Sequence, residues 1–528
     1  MRIIVGVLLL LATNLHGQRI AYGGKLKPEQ ANMDILHYNI VLSVDLAHKS
    51  IAGYTEVDMV LKQPAAVILL DLVDSLLVQQ VWVNGAPANF THSNNLINIT
   101  SLQPYNAGPA RVKVQYGGKP MIAKRPPWDD GFTFTQDSLG HPWMAITAEG
   151  TGAKIYIPCK DHPSDEPDKG VDMHITVPEG LTVAGPGVLL QTTTRKHQTT
   201  FHWQTKYPIN NYSILFNVGA YDVVTRNFTT VDGHSVPMVF YVLKYHAAYA
   251  PHHLELLETM AHAKEKYFGE YPWAKEKIGI VETPHLGMEH QTMNAYGNHF
   301  KYAQIGGQDF DWLMNHEFGH EWWGNKVTAA DWADYWIHEG IGSFGDALFT
   351  YDKEGEAAYE NIFKHSILNI KNDKPVVLGK DIEEEAAYHG DIYSKGAFFM
   401  HTLRYVLGDS IFFPALKKLA TDSSFTYKNL IATTHVERLF SQASGINLEP
   451  LFKLYLYTTD KLTILVKQTA FNEYLVQLGN FDMPLPLDIT TSEGSFTQIV
   501  NKKGITIKST TLPLVDPQVF YIKSVVYE

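Results

Sequence analysis

His316 and His320 stand four residues apart with Glu317 between them, in the stretch MNHEFGHEWWGN (314–325). On a helix this spacing puts both imidazoles on one face, where they can reach a single ion. Glu317 sits about 100° further round the same turn, beside such an ion without pointing at it, as a base acting on metal-bound water requires. A catalytic zinc takes three protein ligands and keeps one position open, so a carboxylate from a following helix is needed. DYWIHEGIGSFGD (334–346) offers Glu339, with 18 residues between it and His320. That gap accommodates a helix end, a loop and a second helix returning to the metal. His316, His320 and Glu339 therefore predict one Zn2+ per chain, although cobalt or manganese would suit the same donors. Asp346 falls two turns after Glu339 on the same face. It either orients a ligand histidine from behind or is a solvated helix carboxylate. Trp322, Trp323, Trp332 and Trp336 are expected to pack around the site.

The elements that must hold these residues can be read from periodicity. With 528 residues, 45% hydrophobic and 19% charged, the chain is too long for one core, and two to four domains are expected. From about Tyr38 to Phe240, short alternating runs such as HYNIVLSVDL and VDMHITVPEG are broken by Gly, Pro and Asn, which predicts an antiparallel β domain. Helical spacing takes over near His246, and residues 310–350 read as two helices joined by a loop. After Asp460 strand-like alternation returns. The fold class is multidomain α+β: an N-terminal β domain (18–230), a mostly helical catalytic domain (231–459) and a small C-terminal β-sandwich (460–528).

Residues 1–17, MRIIVGVLLLLATNLHG, have an apolar run too short to span a bilayer and read as a cleaved secretory signal, which predicts a secreted or periplasmic protein without stable membrane insertion. Cys159 is the single cysteine, so no internal disulfide is expected and the thiol is assigned to packing. The excess of 55 acidic over 43 basic residues argues against a nucleic-acid partner. The turn-rich KDHPSDEPDKG (160–170) reads as a solvated loop, with a calcium site as the alternative, and DIEEEAAYHG (381–390) as helix surface near the cleft. The remaining histidines show no second ligand spacing along the chain. Oligomeric state is not legible.

HEFGHEWWGN followed by DYWIHEG at this gap resembles the aminopeptidase N family of gluzincin metallopeptidases, which also includes the leukotriene hydrolases. LGMEHQTMNAYGN (286–298) is similar to the family's Gly-x-Met-Glu-Asn exopeptidase motif, with Leu286 and His290 departing from it. YHGDIYSKGAFFMHTL resembles its Tyr-x-Lys-Gly segment, TAEGTGAKIYIPC a stretch holding a substrate-amine carboxylate, and DILHYNIVLSVD its opening strand. The resemblance implies a thermolysin-like catalytic domain and a peptide substrate with a free N-terminal amine. It assigns Glu317 as general base and Tyr393 as donor to the oxyanion, with Tyr388 lining the pocket. Glu289 and Glu149 would bind the substrate amine, the backbone of Leu286 and Gly287 would pair with the peptide, and Met288 would line the pocket.

Most of the family carry a large helical C-terminal domain, whereas residues 461–528 read as strands. The expectation is a three-domain form with a more open site that accepts longer peptides. Two rival readings remain: an endopeptidase, against which Glu289 and Glu149 argue, and an inactive peptide-binding protein, which would need a missing ligand, base or oxyanion donor.

Overall fold

The computed structural model describes residues 20–528; the expected signal segment lies outside them. The N-terminal part is built on an eight-stranded sheet, ordered 188–195, 198–205, 171–178, 33–45, 50–61, 108–118, 76–83 and 86–87. The pairing is antiparallel except between Met33–Asp45 and Val171–Pro178, which run parallel, so the sheet is mixed rather than purely antiparallel. Alternation drives it: Met173, Ile175 and Val177 point into the core while Asp172, His174 and Thr176 face outward. A register shift between Ile35 and His37 changes the parity of the first strand, so Ile35 and then Tyr38, Ile40 and Leu42 are buried. Smaller sheets (131–147 with 182–184 and 217–219; 65–71 with 89–105) close the same apolar core.

The middle part begins with a five-stranded sheet, ordered 221–229, 235–243, 278–282, 294–296 and 287–288. Tyr221–Thr229 and Ser235–Leu243 form one hairpin of this sheet, so the expected boundary at 230/231 falls inside a single supersecondary unit, and the division lies nearer Tyr221. Helices Ala250–Phe268 and Trp312–Gly319 pack against it, Trp336–Glu354 packs on both of these, and Gly390–Leu407 packs on Trp336–Glu354. Two small sheets follow, 462–470 with 473–478, 505–508 and 523–527, and 485–491 with 494–500 and 514–515. They form the C-terminal β-sandwich, and its Ile464, Val466 and Leu487 belong to one continuous core with the helical part. Among the described residues no helix is long and apolar enough to cross a membrane.

The loop 160–170 departs from expectation. Lys160, Asp161, His162 and Glu166 are buried. Asp161 accepts the amide hydrogens of Ala153 and Lys154, and its charge is met by Lys154 Nζ at 3.4 Å. Lys160 Nζ meets Asp165 at 2.9 Å. Asp161 and Asp165 are thus paired within the protein, which accounts for their tolerance of burial. Cys159 is buried as expected.

Candidate metal centre and substrate cleft

The helix Trp312–Gly319 starts at Asp311, whose buried carboxylate accepts the Met314 amide at 3.1 Å and the Tyr296 hydroxyl at 2.7 Å. Its last turn delivers His316, and His320 follows directly as the C-cap in helical conformation. His316 Nδ1 bonds Asp346 Oδ2 at 2.7 Å, and His320 Nδ1 bonds the Trp323 carbonyl at 2.8 Å. With each Nδ1 occupied, both Nε2 atoms are left to face a common point, 3.3 Å apart. Glu339, from the helix Trp336–Glu354, brings Oε2 to 3.7 Å from His316 Nε2 and 3.5 Å from His320 Nε2. Three ligands at ~2 Å from one tetrahedral ion are separated by about this much. Glu339 Oε2 is buried and accepts no hydrogen bond, which is costly unless a cation satisfies it. The donor set, its spacing and this orphaned oxygen fit Zn2+.

Asp346 stands directly behind the first histidine. It holds His316, takes a hydrogen bond from Asn315 Nδ2 at 2.7 Å, and lies 3.8 Å from the buried Lys264 ammonium. Burial opposes the charged form of His316, but Asp346, Glu339 and Glu317 together hold its pKa well above the ordinary value. The four tryptophans are fully buried, as expected. They anchor the ligand helices: Trp336 Nε1 donates to Thr433 Oγ1 at 2.7 Å and Trp322 Nε1 to the Gly269 carbonyl at 3.1 Å.

A cleft of about 1110 Å³ opens over the triad. It is lined by Glu149, Leu286, Gly287, Met288, Glu289, Glu317, Tyr388 and Tyr393 together with His316, His320 and Glu339. Every residue predicted for catalysis, metal or substrate binding therefore shares one cavity, with Asp346 standing behind it. Gly287–Met288 is the edge strand of the five-stranded sheet, paired only with Asn294–Tyr296, so its free edge is available for a β-type peptide. A Cβ on Gly287 would meet Glu317 Oε1 and Leu313 Cδ1 at 2.7 Å each, so a larger residue there would displace the Glu317 side chain.

Glu289 accepts a hydrogen bond from the Tyr212 hydroxyl at 3.2 Å, and Glu149 one from the Tyr335 hydroxyl at 3.1 Å. Burial raises the pKa of both carboxyls; Glu289 and Glu339 raise that of Glu149 further, and Glu339 raises that of Glu289 against the attraction of His320. Burial likewise holds the Glu317 carboxyl high, against the attraction of His316. Tyr393 hydrogen-bonds Tyr388, and its ring lies 6.2 Å from that of His316.

Sequence reasoning missed Tyr212 and Tyr335, the donors that fix the two carboxylates, and Lys264 beneath Asp346. Tyr335 lies in DYWIHEG itself, four residues before Glu339, the one place where helical spacing gave a signal. Asp130 and Glu384 also line the cleft, and burial pushes Asp130 up to about 7. The expectation of a helix surface at 381–390 holds for the exposed Glu385, whereas Glu384 is buried.

Residues 253–455 match the family described as Peptidase family M1 domain. Aminopeptidase N of Escherichia coli is 25% identical over 320 residues, covering 55% of this chain and 37% of that protein. Puromycin-sensitive aminopeptidase of Caenorhabditis elegans is 24% identical over 446 residues, covering 79% of this chain and 46% of that protein. The chain spans less than half the length of these curated relatives. An M1 zinc metallopeptidase from Deinococcus radiodurans has the same fold, with a TM-score of 0.69 at 22% identity over 80% of this chain and 93% of its own. The matched segment and the relatives are thus similar to M1-family aminopeptidases, and the structural neighbour shares the fold.

Proposed function

We propose that the protein is a zinc-dependent aminopeptidase that removes residues from the free N-terminus of peptides. The observation that carries this reading is one cleft holding both a metal-ligand triad and two carboxylates, the buried Glu289 directly after an edge strand and the half-buried Glu149. His316, His320 and Glu339 would hold the ion. Bound zinc lowers the pKa of water and polarises a carbonyl.

The protein's own groups do the rest. Leu286, Gly287 and Met288 align the peptide as an added strand. Glu289 and Glu149 receive its ammonium, which relieves the repulsion between them and converts a costly pair into a charge-assisted site. Because they sit a fixed distance from the triad, they select the first peptide bond. Glu317 takes the proton from the attacking water and returns it to the leaving amine. Tyr393 donates its hydroxyl hydrogen to the oxyanion, with Tyr388 holding the ring in place.

The apolar run at residues 3–12 supports action outside the cytoplasm, in the periplasm or after release. The test is incubation of the protein with an unblocked peptide, followed by mass spectrometry. Stepwise N-terminal loss, stopped by a chelator and restored by zinc, is expected. Glu317→Gln should retain zinc while kcat falls by about 10²–10⁴-fold. Internal cuts would mean an endopeptidase, and no cleavage with zinc bound would leave the peptide-binding reading.

A further inference from the structure

The outward face of the N-terminal sheet gathers a second set of metal-type donors that no spacing along the chain announces. His174 and His202 are direct cross-strand partners, and Asp172 lies two residues before His174 on the same face. Their rings stack with centroids 3.9 Å apart. His202 Nε2 lies 2.6 Å from Asp172 Oδ1. The register shift in the first strand turns His37 to this side, where its Nε2 reaches Asp172 Oδ2 at 3.0 Å. Gln204 Nε2 donates to the same carboxylate at 3.0 Å.

One donor atom from each of Asp172, His174 and His202 falls within 4.8 Å of the others. Among the described residues only the catalytic triad forms another such group. The ring nitrogens of His174 make no hydrogen bond among the described residues. A cavity of about 410 Å³, lined in part by His174, His202, Thr200 and Gln191, adjoins the cluster and leaves room for water ligands.

We infer that this face holds a second divalent-metal site of the zinc type, ligated by Asp172, His174 and His202, with His37 orienting the carboxylate. Two imidazoles, one carboxylate and water form a donor set suited to zinc and its first-row neighbours. His37 on the far oxygen of Asp172 supplies the outer support that such ligands commonly have. Admitting the ion requires His202 Nε2 and Asp172 Oδ1 to open to about 3.3 Å, the ligand–ligand distance of a tetrahedral site. The side chains are partly exposed, so rotation suffices. The ion would tie together the strands Met33–Asp45, Val171–Pro178 and Gln198–Thr205 and stabilise the sheet. It lies apart from the cleft, and nothing in it depends on the proposed peptidase chemistry.

The experiment is equilibrium dialysis of the untagged full chain against buffered free Zn2+, with metal counted by mass spectrometry. Wild type is expected to hold two ions, His174→Thr/His202→Thr one, and His316→Ala/His320→Ala one. His37→Gln should keep the second ion with about 10–100-fold weaker affinity. Equal zinc content in wild type and His174→Thr/His202→Thr would overturn the proposal, whatever the catalytic site holds. Should that variant fail to fold, the Co2+-loaded His316→Ala/His320→Ala protein decides instead. A tetrahedral cobalt absorption band is expected from it, and cobalt-free protein would refute the site.

Discussion

Asp346 is not among the residues lining the cleft, yet its hydrogen bond at 2.7 Å to Nδ1 leaves Nε2 as the nitrogen of His316 that would face a metal. Asp346→Asn is therefore expected to weaken zinc binding by about 10–100-fold while the fold persists; competition with a chromogenic chelator measures it, and unchanged affinity would remove the orienting role. His290 has a different consequence. Its two ring nitrogens are buried without partners, and burial pushes its pKa down to about 3. The unfolded chain has a histidine pKa near 6.5, so it binds the proton that the folded state refuses. Stability is then present above that value and is lost as pH falls from about 6.5 towards 3. At pH 5 this one residue costs about 2 kcal/mol. His290→Asn should shrink the loss of unfolding free energy between pH 7.5 and pH 5 by about that amount in denaturant titrations. An identical loss in both proteins would show that His290 is not held neutral.

The ligand triad was legible because helical geometry turns a four-residue spacing into a shared face, and the carboxylate had to come from the next helix. Glu149 was a different case: it reaches the cleft from the β part, and only resemblance singled it out. The second histidine cluster was illegible for a stricter reason. His174 and His202 meet through strand register, and His37 through an irregularity of one residue, neither of which a single sequence discloses. The loop 160–170 departs from expectation because Asp161 and Asp165 are met by Lys154, Lys160 and backbone amides, partners that no local pattern announces. The helices that carry Glu339 and Tyr393 also meet more closely than periodicity could show. A Cβ on Gly340 would lie 2.8 Å from both Gly396 Cα and the Ile392 carbonyl oxygen. Gly340→Ala is expected to destabilise the protein by about 1–3 kcal/mol and to lower kcat by moving Tyr393 relative to Glu339. A melting temperature and kcat equal to wild type would contradict that coupling.

Across the whole molecule, the cleft exists because the β and helical parts meet: Glu149 comes from the first, and the triad, Glu289 and the edge strand from the second. The order of β, helical and β parts was readable from changes of period, whereas the exact division was not, because Tyr221–Thr229 alternates like the strands before it but pairs with those after it. On the proposed reading, the joint between the parts is what lets a metal hydrolase measure from an N-terminus. The most direct measurement is kcat/KM for one peptide in free and N-acetylated forms, with wild type, Glu289→Gln and Glu149→Gln. Two charge-assisted hydrogen bonds at roughly 1.5–3 kcal/mol each predict at least a hundredfold preference for the free form in wild type. Each substitution should reduce that preference by about tenfold or more. Equal cleavage of both forms, or a preference that neither substitution changes, would contradict the assignment of Glu289 and Glu149 as the groups that recognise the amine.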